Sequence, residues 1–209
     1  MNPTIASMMI IIAVLLALPQ SGQAADAAAG QAAYAVCAAC HGQKGEGNVA
    51  MNAPKLNGQE GWYIKRQLAA YRDGLRGTAP GDTYGMQMRP MAMAVGNPDA
   101  EANLIAYIES LPVTDSAPTV SGDVAAGQAG YAVCAACHGQ KAEGVEALGG
   151  PRLAGLDDWY LVRQINNYNK GLRGYDPKDT FGMQMKPMAA TVATDKAAAD
   201  VVAYINTLQ

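Results

Sequence analysis

Cys37-Ala38-Ala39-Cys40-His41 returns 97 residues later as Cys134-Ala135-Ala136-Cys137-His138, and the two runs use all four cysteines and both histidines of the chain. Cys-x-x-Cys-His is the spacing of covalent c-type haem attachment. On a short helix, cysteines at i and i+3 share a face, so each can form a thioether with one of the two vinyl groups of a haem. The histidine that follows then turns its imidazole toward the iron. A zinc site would need four ligands, and each run offers three. Two such runs in one register are not chance. The residues point to two haem c groups, one bound through Cys37, Cys40 and His41, the other through Cys134, Cys137 and His138.

The register extends far beyond these pentapeptides. Ala28 to Leu111 and Ala125 to Leu208 align without a gap. Gly30-Gln31 matches Gly127-Gln128, Trp62-Tyr63 matches Trp159-Tyr160, and Gly74-Leu75-Arg76-Gly77 matches Gly171-Leu172-Arg173-Gly174. A period near 100 residues is a duplicated domain, not a solenoid repeat. Residues 25–111 and 123–209 are therefore read as two domains. The Pro-, Thr- and Ser-containing stretch 112–122 between them is an extended linker. Each half is small for a hydrophobic core of its own. A buried haem supplies the missing apolar bulk, so the apoprotein is expected to fold poorly.

Thioether attachment takes place outside the bacterial cytoplasm, and the first 24 residues read as a cleavable signal peptide. Met8 to Leu18 is apolar, and Pro19 and the small-residue stretch Ser21-Gly22-Gln23-Ala24-Ala25 follow it. The run is shorter than the ~20 residues a bilayer span needs. Its flank lacks Lys or Arg, which leaves an uncleaved anchor as the competing reading. Periplasmic localisation follows, with no transmembrane span in the mature chain. The net charge of -3 and the propionates of two haems argue against nucleic acid and anionic membranes as partners.

The patterning is helical throughout, without strand alternation. Helices are expected over Ala28 to Ala39, Trp62 to Arg72 (stopped by Gly74) and Pro98 to Ser110, and again in the second half. Gly42 to Gly58 and Pro80 to Pro90 read as irregular. The fold class is all-α, two tandem domains each wrapping one haem.

Haem iron bound by histidine on one side commonly takes methionine or histidine on the other. No third histidine exists. Three methionine pairs recur at the 97-residue offset, Met86/Met183, Met88/Met185 and Met91/Met188, all within Gly-Met-Gln-Met-(Arg/Lys)-Pro-Met-Ala. Met88 and Met185 are preferred. Each lies 47 residues after its histidine and seven before Val95 or Val192. The other two pairs remain alternatives, with packing against the porphyrin as the non-ligand role.

With these pieces in place the chain resembles a diheme cytochrome c of the c4 type, within the class I cytochromes c. Gly-x-x-x-Tyr before each haem motif, Pro54-Lys55-Leu56-x-Gly58 and Pro151-Arg152-Leu153-x-Gly155 after it, the Tyr63…Gln67 and Tyr160…Gln164 helices, the methionine segment and the Ala-Tyr-Ile terminal helix carry the likeness. The resemblance implies Met88 and Met185 as ligands. It also implies that the carbonyls of Pro54 and Pro151 accept the Nδ1 proton of the ligand histidines. Gly30 with Tyr107, and Gly127 with Tyr204, would mark the crossing of the first and last helices. Trp62, Tyr63, Trp159, Tyr160, Arg76 and Arg173 are candidates for propionate contacts, against core packing or plain solvation. Arg89 and Lys186 are read as solvated surface charges beside the ligands.

The function implied is one-electron transfer without catalysis. The chain would be a carrier between a quinol-oxidising complex or dehydrogenase and a terminal oxidase or reductase, meeting redox protein partners transiently. The alternative is a permanent diheme subunit of a dehydrogenase such as a flavocytochrome c that oxidises sulfide. A diheme peroxidase would want a spare histidine, and both histidines are committed.

Overall fold

The computed structural model describes residues 24–208. Apart from Ala24, the segment read as a signal peptide lies outside the described residues. Helices α1 (Ala27–His41), α2 (Gly61–Arg72), α3 (Thr83–Ala94) and α4 (Pro98–Ser110) form the first half. Helices α5 (Val124–Tyr131), α6 (Ala135–His138), α7 (Asp158–Asn169), α8 (Thr180–Ala189) and α9 (Asp195–Ile205) form the second. Among the described residues there is no strand, only the isolated bridges Asn48–Ala53 and Val145–Gly150.

Local chemistry fixes the helix ends. Asp26 caps α1, its carboxylate accepting from the amides of Ala28 at 2.9 Å and Ala29 at 3.2 Å. The helix stops at Gly42, whose φ of 84° few other residues adopt. Asn97 caps α4 through the Ala100 amide at 3.0 Å, and Pro98 fills the first turn, where its missing N–H costs nothing. The apolar stripe Leu104, Ile105 and Ile108 of α4 is buried against Tyr34, Ala38, Ile64, Leu68 and Tyr71. Arg72, at the end of α2, pairs with the buried Glu101 of α4. A second, separate core gathers Tyr131, Leu156, Leu161, Val192, Val201, Val202 and Ile205. One core per half matches the duplicated architecture.

The first and last helices of each half cross where a glycine removes the side chain between them. A methyl on Gly30 would lie 2.5 Å from the Asn103 carbonyl carbon and 2.8 Å from Tyr107 Cβ. One on Gly127 would lie 2.5 Å from the Asp200 carbonyl carbon and 3.0 Å from Tyr204 Cβ. The Gly–Tyr pairing expected from the sequence is thus a backbone-to-backbone approach. It also sets Tyr34 against Tyr107, with ring centroids 5.3 Å apart.

The structure corrects the sequence reading in two places. The methionine segment is helical: Met86, Met88 and Met91 ride on α3, and Met183, Met185 and Met188 on α8. Gly85 and Pro90 suggest a broken segment, but Asp82 caps the helix through the Gly85 amide at 3.0 Å. Pro90 is exposed and costs one hydrogen bond. Met, Gln and Arg around it are good helix formers. The second half also fails to copy α1 in one piece, breaking it into α5 and α6. Gly130 stands just before the break, where the first half has Ala33, and glycine weakens a helix interior.

The linker has no regular secondary structure, yet it is fastened along its length. Asn57, wholly buried, exchanges hydrogen bonds with Thr114. Lys55 Nζ donates to the carbonyls of Thr114 and Gly155. Ser116 donates to Asp157, and Asp158 accepts from the Thr119 hydroxyl and the Thr119 and Val120 amides at 2.6 to 2.7 Å.

Candidate functional site

Each half holds a cavity lined by one Cys-x-x-Cys-His run. About 210 Å³ of free space lies among Cys37, Cys40, His41, Met88 and Met91, and about 170 Å³ among Cys134, Cys137, His138, Met185 and Met188. No cysteine is bridged to another. Of the candidate methionines, Met88 and Met185 are the partly buried pair, while Met86, Met91, Met183 and Met188 are exposed. Met86 and Met183 line neither cavity. The pair preferred from sequence therefore sits deeper than its rivals, with Met91 and Met188 nearer the rim.

The imidazoles are oriented by backbone. His41 Nδ1 lies 2.6 Å from the Pro54 carbonyl oxygen and His138 Nδ1 lies 2.7 Å from that of Pro151. A proton on Nδ1 is donated to that carbonyl, which leaves Nε2 for a metal. Burial holds both histidines below the ordinary imidazole value, against the opposing hydrogen bond to the proline carbonyl. Both rings are therefore neutral, the form that binds iron.

The inner walls of the cavities are built by both halves. Tyr63, Gln59 and Gln67 of the first half and Tyr160, Gln164 and Leu156 of the second line both spaces. Arg76 and Arg173 lie there too, each only 4 % exposed. Arg76 Nη1 donates to Gln67 at 2.6 Å and its Nη2 reaches across to Gln164 at 3.3 Å. Arg173 mirrors this, bonding Gln164 at 2.9 Å and Gln67 at 3.2 Å. The guanidiniums stack 4.5 Å over Tyr71 and Tyr168. Burial pushes both phenols up to about 12, so they remain neutral hydrogen-bonding groups.

Among the described residues neither buried arginine has a carboxylate, and the Nε atoms of Arg76 and Arg173 have no partner. Two buried cations with orphaned donors are costly unless anions complete them. A group with an apolar body, two carboxylates and a metal centre fits this lining: thiols, a neutral imidazole and a thioether on the walls, unpaired guanidiniums at the inner edge. The residues present fit a haem.

The cytochrome c family profile matches residues 27–112 and again 124–209. The chain belongs to the cytochrome c family.

Among cytochromes c it is similar to a cytochrome c4 from Azotobacter vinelandii, 33% identical, with 95% of this chain and 98% of the relative covered. A thiosulfate dehydrogenase electron acceptor from Stutzerimonas stutzeri is 32% identical, covering 85% of this chain and 86% of that one. The crystal structure of reduced cytochrome c4 from Pseudomonas stutzeri superposes with a TM-score of 0.68 at 30% identity, over 89% of this chain and all of the other. The protein is a diheme electron carrier of the c4 type, with one haem c per domain. Its fold is two tandem all-α cytochrome c domains.

The remaining sequence candidates divide. Arg76 and Arg173 are buried in the shared wall, not solvated. Trp62 and Tyr63 pack around Arg66, and Trp159 and Tyr160 around Arg163. Arg89 is partly covered and donates to the Tyr71 carbonyl at 3.3 Å, while Lys186 is exposed. Sequence reasoning gave no role to Arg66, Arg163, Gln67 or Gln164. All four recur at the 97-residue offset, and that recurrence was the available signal.

Proposed function

We propose that this cytochrome c works in the periplasm as a one-electron carrier between a quinol-oxidising complex or dehydrogenase and a terminal oxidase or reductase. The observation that carries this reading is the convergence, in each cavity, of two thiols, a histidine held on a proline carbonyl and one deep methionine. Cys37, Cys40, Cys134 and Cys137 would form the thioethers, and His41 with Met88 and His138 with Met185 would hold the two irons, each histidine being fixed on the carbonyl of Pro54 or Pro151. Haem with both axial positions filled by protein supplies reversible one-electron chemistry and no open site for substrate. The role is thus transfer, not catalysis.

The chain's own residues do the rest. Gln67, Gln164, Arg76 and Arg173 would hold the haem propionates at the domain boundary, with Tyr71 and Tyr168 stacked on the two guanidiniums. Partners meet the molecule at the cavity mouths, where Val36, Met51, Tyr84 and Met91 are exposed on one domain and Val133, Leu148, Phe181 and Met188 on the other. Small apolar patches of this kind suit transient electron-transfer encounters.

A second reading places the donor among sulfur-oxidising dehydrogenases, as a free acceptor or a permanent subunit. The relative from Stutzerimonas stutzeri that is named a thiosulfate dehydrogenase electron acceptor favours it. Reduction of the purified protein by thiosulfate dehydrogenase, and co-purification with such an enzyme, distinguish these arrangements from the quinol-linked one.

The test of the site is a redox titration of the purified protein, read in the visible and at the near-infrared methionine-to-ferric-iron band. Two one-electron steps and a full-strength band are expected. Met88→Ala and Met185→Ala should each remove half of that band. A full band in both variants would assign the ligands to Met91 and Met188 or to Met86 and Met183. A wild type missing the band at one haem would mean an open iron and a different chemistry.

A further inference from the structure

Two arginines leave their own domain and settle on the rim of the other domain's cavity. Arg66, on α2 of the first domain, lies 4.3 Å over the ring of Phe181 and donates from Nη2 to the Gly149 carbonyl at 2.8 Å. Phe181, Gly149 and Arg66 all line the cavity that holds Cys134, Cys137 and His138. Arg163, on α7, lies 4.6 Å over Tyr84 and donates to both oxygens of Asn52 at 2.9 Å. Tyr84, Asn52 and Arg163 line the cavity that holds Cys37, Cys40 and His41.

Among the described residues neither arginine is in a salt bridge. Each is instead wedged between aromatic faces, Arg66 among Trp62, Tyr63 and Phe181, Arg163 among Trp159, Tyr160 and Tyr84. Stacking holds the cation in place without cancelling its charge. Arg66 Nε is buried without a partner among those residues. A simple latch between domains would gain from an acidic partner across the boundary. Here the hydrogen-bonding acceptors across the boundary are uncharged, and the nearest carboxylates on the opposite domain, Asp179 toward Arg66 and Asp82 toward Arg163, attract each cation without closing an ion pair, so each charge is only partly offset beside the opposite site.

Resting on the haem assignment above, we propose that Arg66 and Arg163 are positioning residues acting in trans: each fixes a positive charge and a flat cover at the haem site of the opposite domain, and so raises that haem's electron affinity. A fixed cation that no ion pair neutralises, in a region of low effective dielectric, favours the form of a neighbouring site that has gained an electron. The electron affinity of each haem is then a property of the docked pair of domains. Either domain alone lacks it.

The experiment compares holoprotein carrying Arg66→Met, Arg66→Lys, Arg163→Met and Arg163→Lys with the wild type. Optical redox titration gives the two steps. Proton NMR of the ferric form assigns each haem through its contacts with Met51 in the first domain or Leu148 in the second. Arg66→Met should raise the ferric-to-ferrous ratio of the second-domain haem severalfold at a fixed ambient potential and leave the first-domain haem in place. Arg163→Met should do the reverse, and the lysine variants, which keep the charge, should recover most of each shift. The proposal is overturned if Arg66→Met moves its own domain's haem, if both haems move together, or if lysine behaves like methionine. That last pattern would describe a latch whose loss undocks the domains. A wild type without two one-electron steps would instead sink the haem assignment on which the proposal rests.

Discussion

Gly127→Ala tests whether backbone contact between the first and last helices of a domain holds the fold together. The added methyl would stand 2.5 Å from the Asp200 carbonyl carbon. Carbon atoms rest about 3.5–4.0 Å apart, so α5 and α9 must separate by about 1 Å or more. Tyr131, Val201, Val202 and Ile205 ride on these helices and would lose contact together. Such overpacking costs about 1–3 kcal/mol, and alanine in place of glycine in a helix returns about 0.5–1 kcal/mol, so a net loss of up to about 2.5 kcal/mol is expected. Gly130→Ala is the internal control. It lies on the same helix and gains the same propensity, but its methyl meets side chains alone, Val201 Cγ2 at 2.8 Å and Val192 Cγ1 at 3.9 Å. A valine methyl can turn aside where a peptide carbonyl cannot, so this variant should be close to neutral. Urea unfolding of the two holoproteins, followed by circular dichroism and haem absorbance, gives the difference directly. For a domain of this size each kcal/mol corresponds to about 4–8 °C in Tm. Gly30→Ala, which meets the Asn103 carbonyl carbon at 2.5 Å, should repeat the loss in the first domain. If Gly127→Ala proves as stable as Gly130→Ala, the crossing does not constrain the fold and the argument fails.

Asp158 is buried, which alone would raise its carboxyl, but the Thr119 hydroxyl, the Val120 and Thr119 amides and Asn206 outweigh this and hold it below the usual carboxylate range. Its contribution is therefore complete above the unfolded-state value near ~4 and is lost as pH falls through the lower folded value. Asp158→Asn should be less stable than wild type at neutral pH, with the gap narrowing only below about pH 4 in acid-unfolding curves; a gap constant across that range would refute it. Asn57→Ala strips partners from the Lys44 carbonyl and the Thr114 amide. It should cost about 1–3 kcal/mol, speed hydrogen exchange at Thr114 and expose the linker to protease; an unchanged cleavage rate would show that the strap holds without it.

Much of this was legible in the sequence because covalent haem attachment and duplication leave marks that do not depend on packing. A gapless offset pairs equivalent residues by number alone, and counting histidines narrows the sixth ligand to three methionine pairs. Helix α4 was readable to the residue, since Asn97, Pro98 and the Leu104-Ile105-Ile108 stripe all point the same way. The methionine helices were not. Gly85 and Pro90 are local breakers, and what overrides them is the Asp82 cap together with packing of Met88 and Ala92 against the core. The interface was hidden for a different reason. Arginine at a helix surface, such as Arg66, reads as solvated, and only the fold brings it to Phe181; Arg76 was a candidate for the haem edge, but its reach to Gln164 of the other half needed the fold as well.

Many of the contacts between the halves come in exchanged pairs. Lys55 donates its amide to Asp157 at 2.7 Å, and Arg152 donates its own to Glu60 at 2.9 Å. Arg66 finds Gly149 where Arg163 finds Asn52, and each buried arginine touches both glutamines. Such a set is the geometry of two identical subunits about a twofold axis, where residue i meets j and j meets i. In a true homodimer every substitution appears twice and the two redox centres stay equivalent. Joining the halves through one peptide strap lifts that constraint. Tyr84 can differ from Phe181, and Asn52, which accepts two hydrogen bonds, can differ from Gly149, which accepts one. A linked pair of this kind keeps the close packing of a symmetric dimer, while an electron crossing it can travel with a preferred sense.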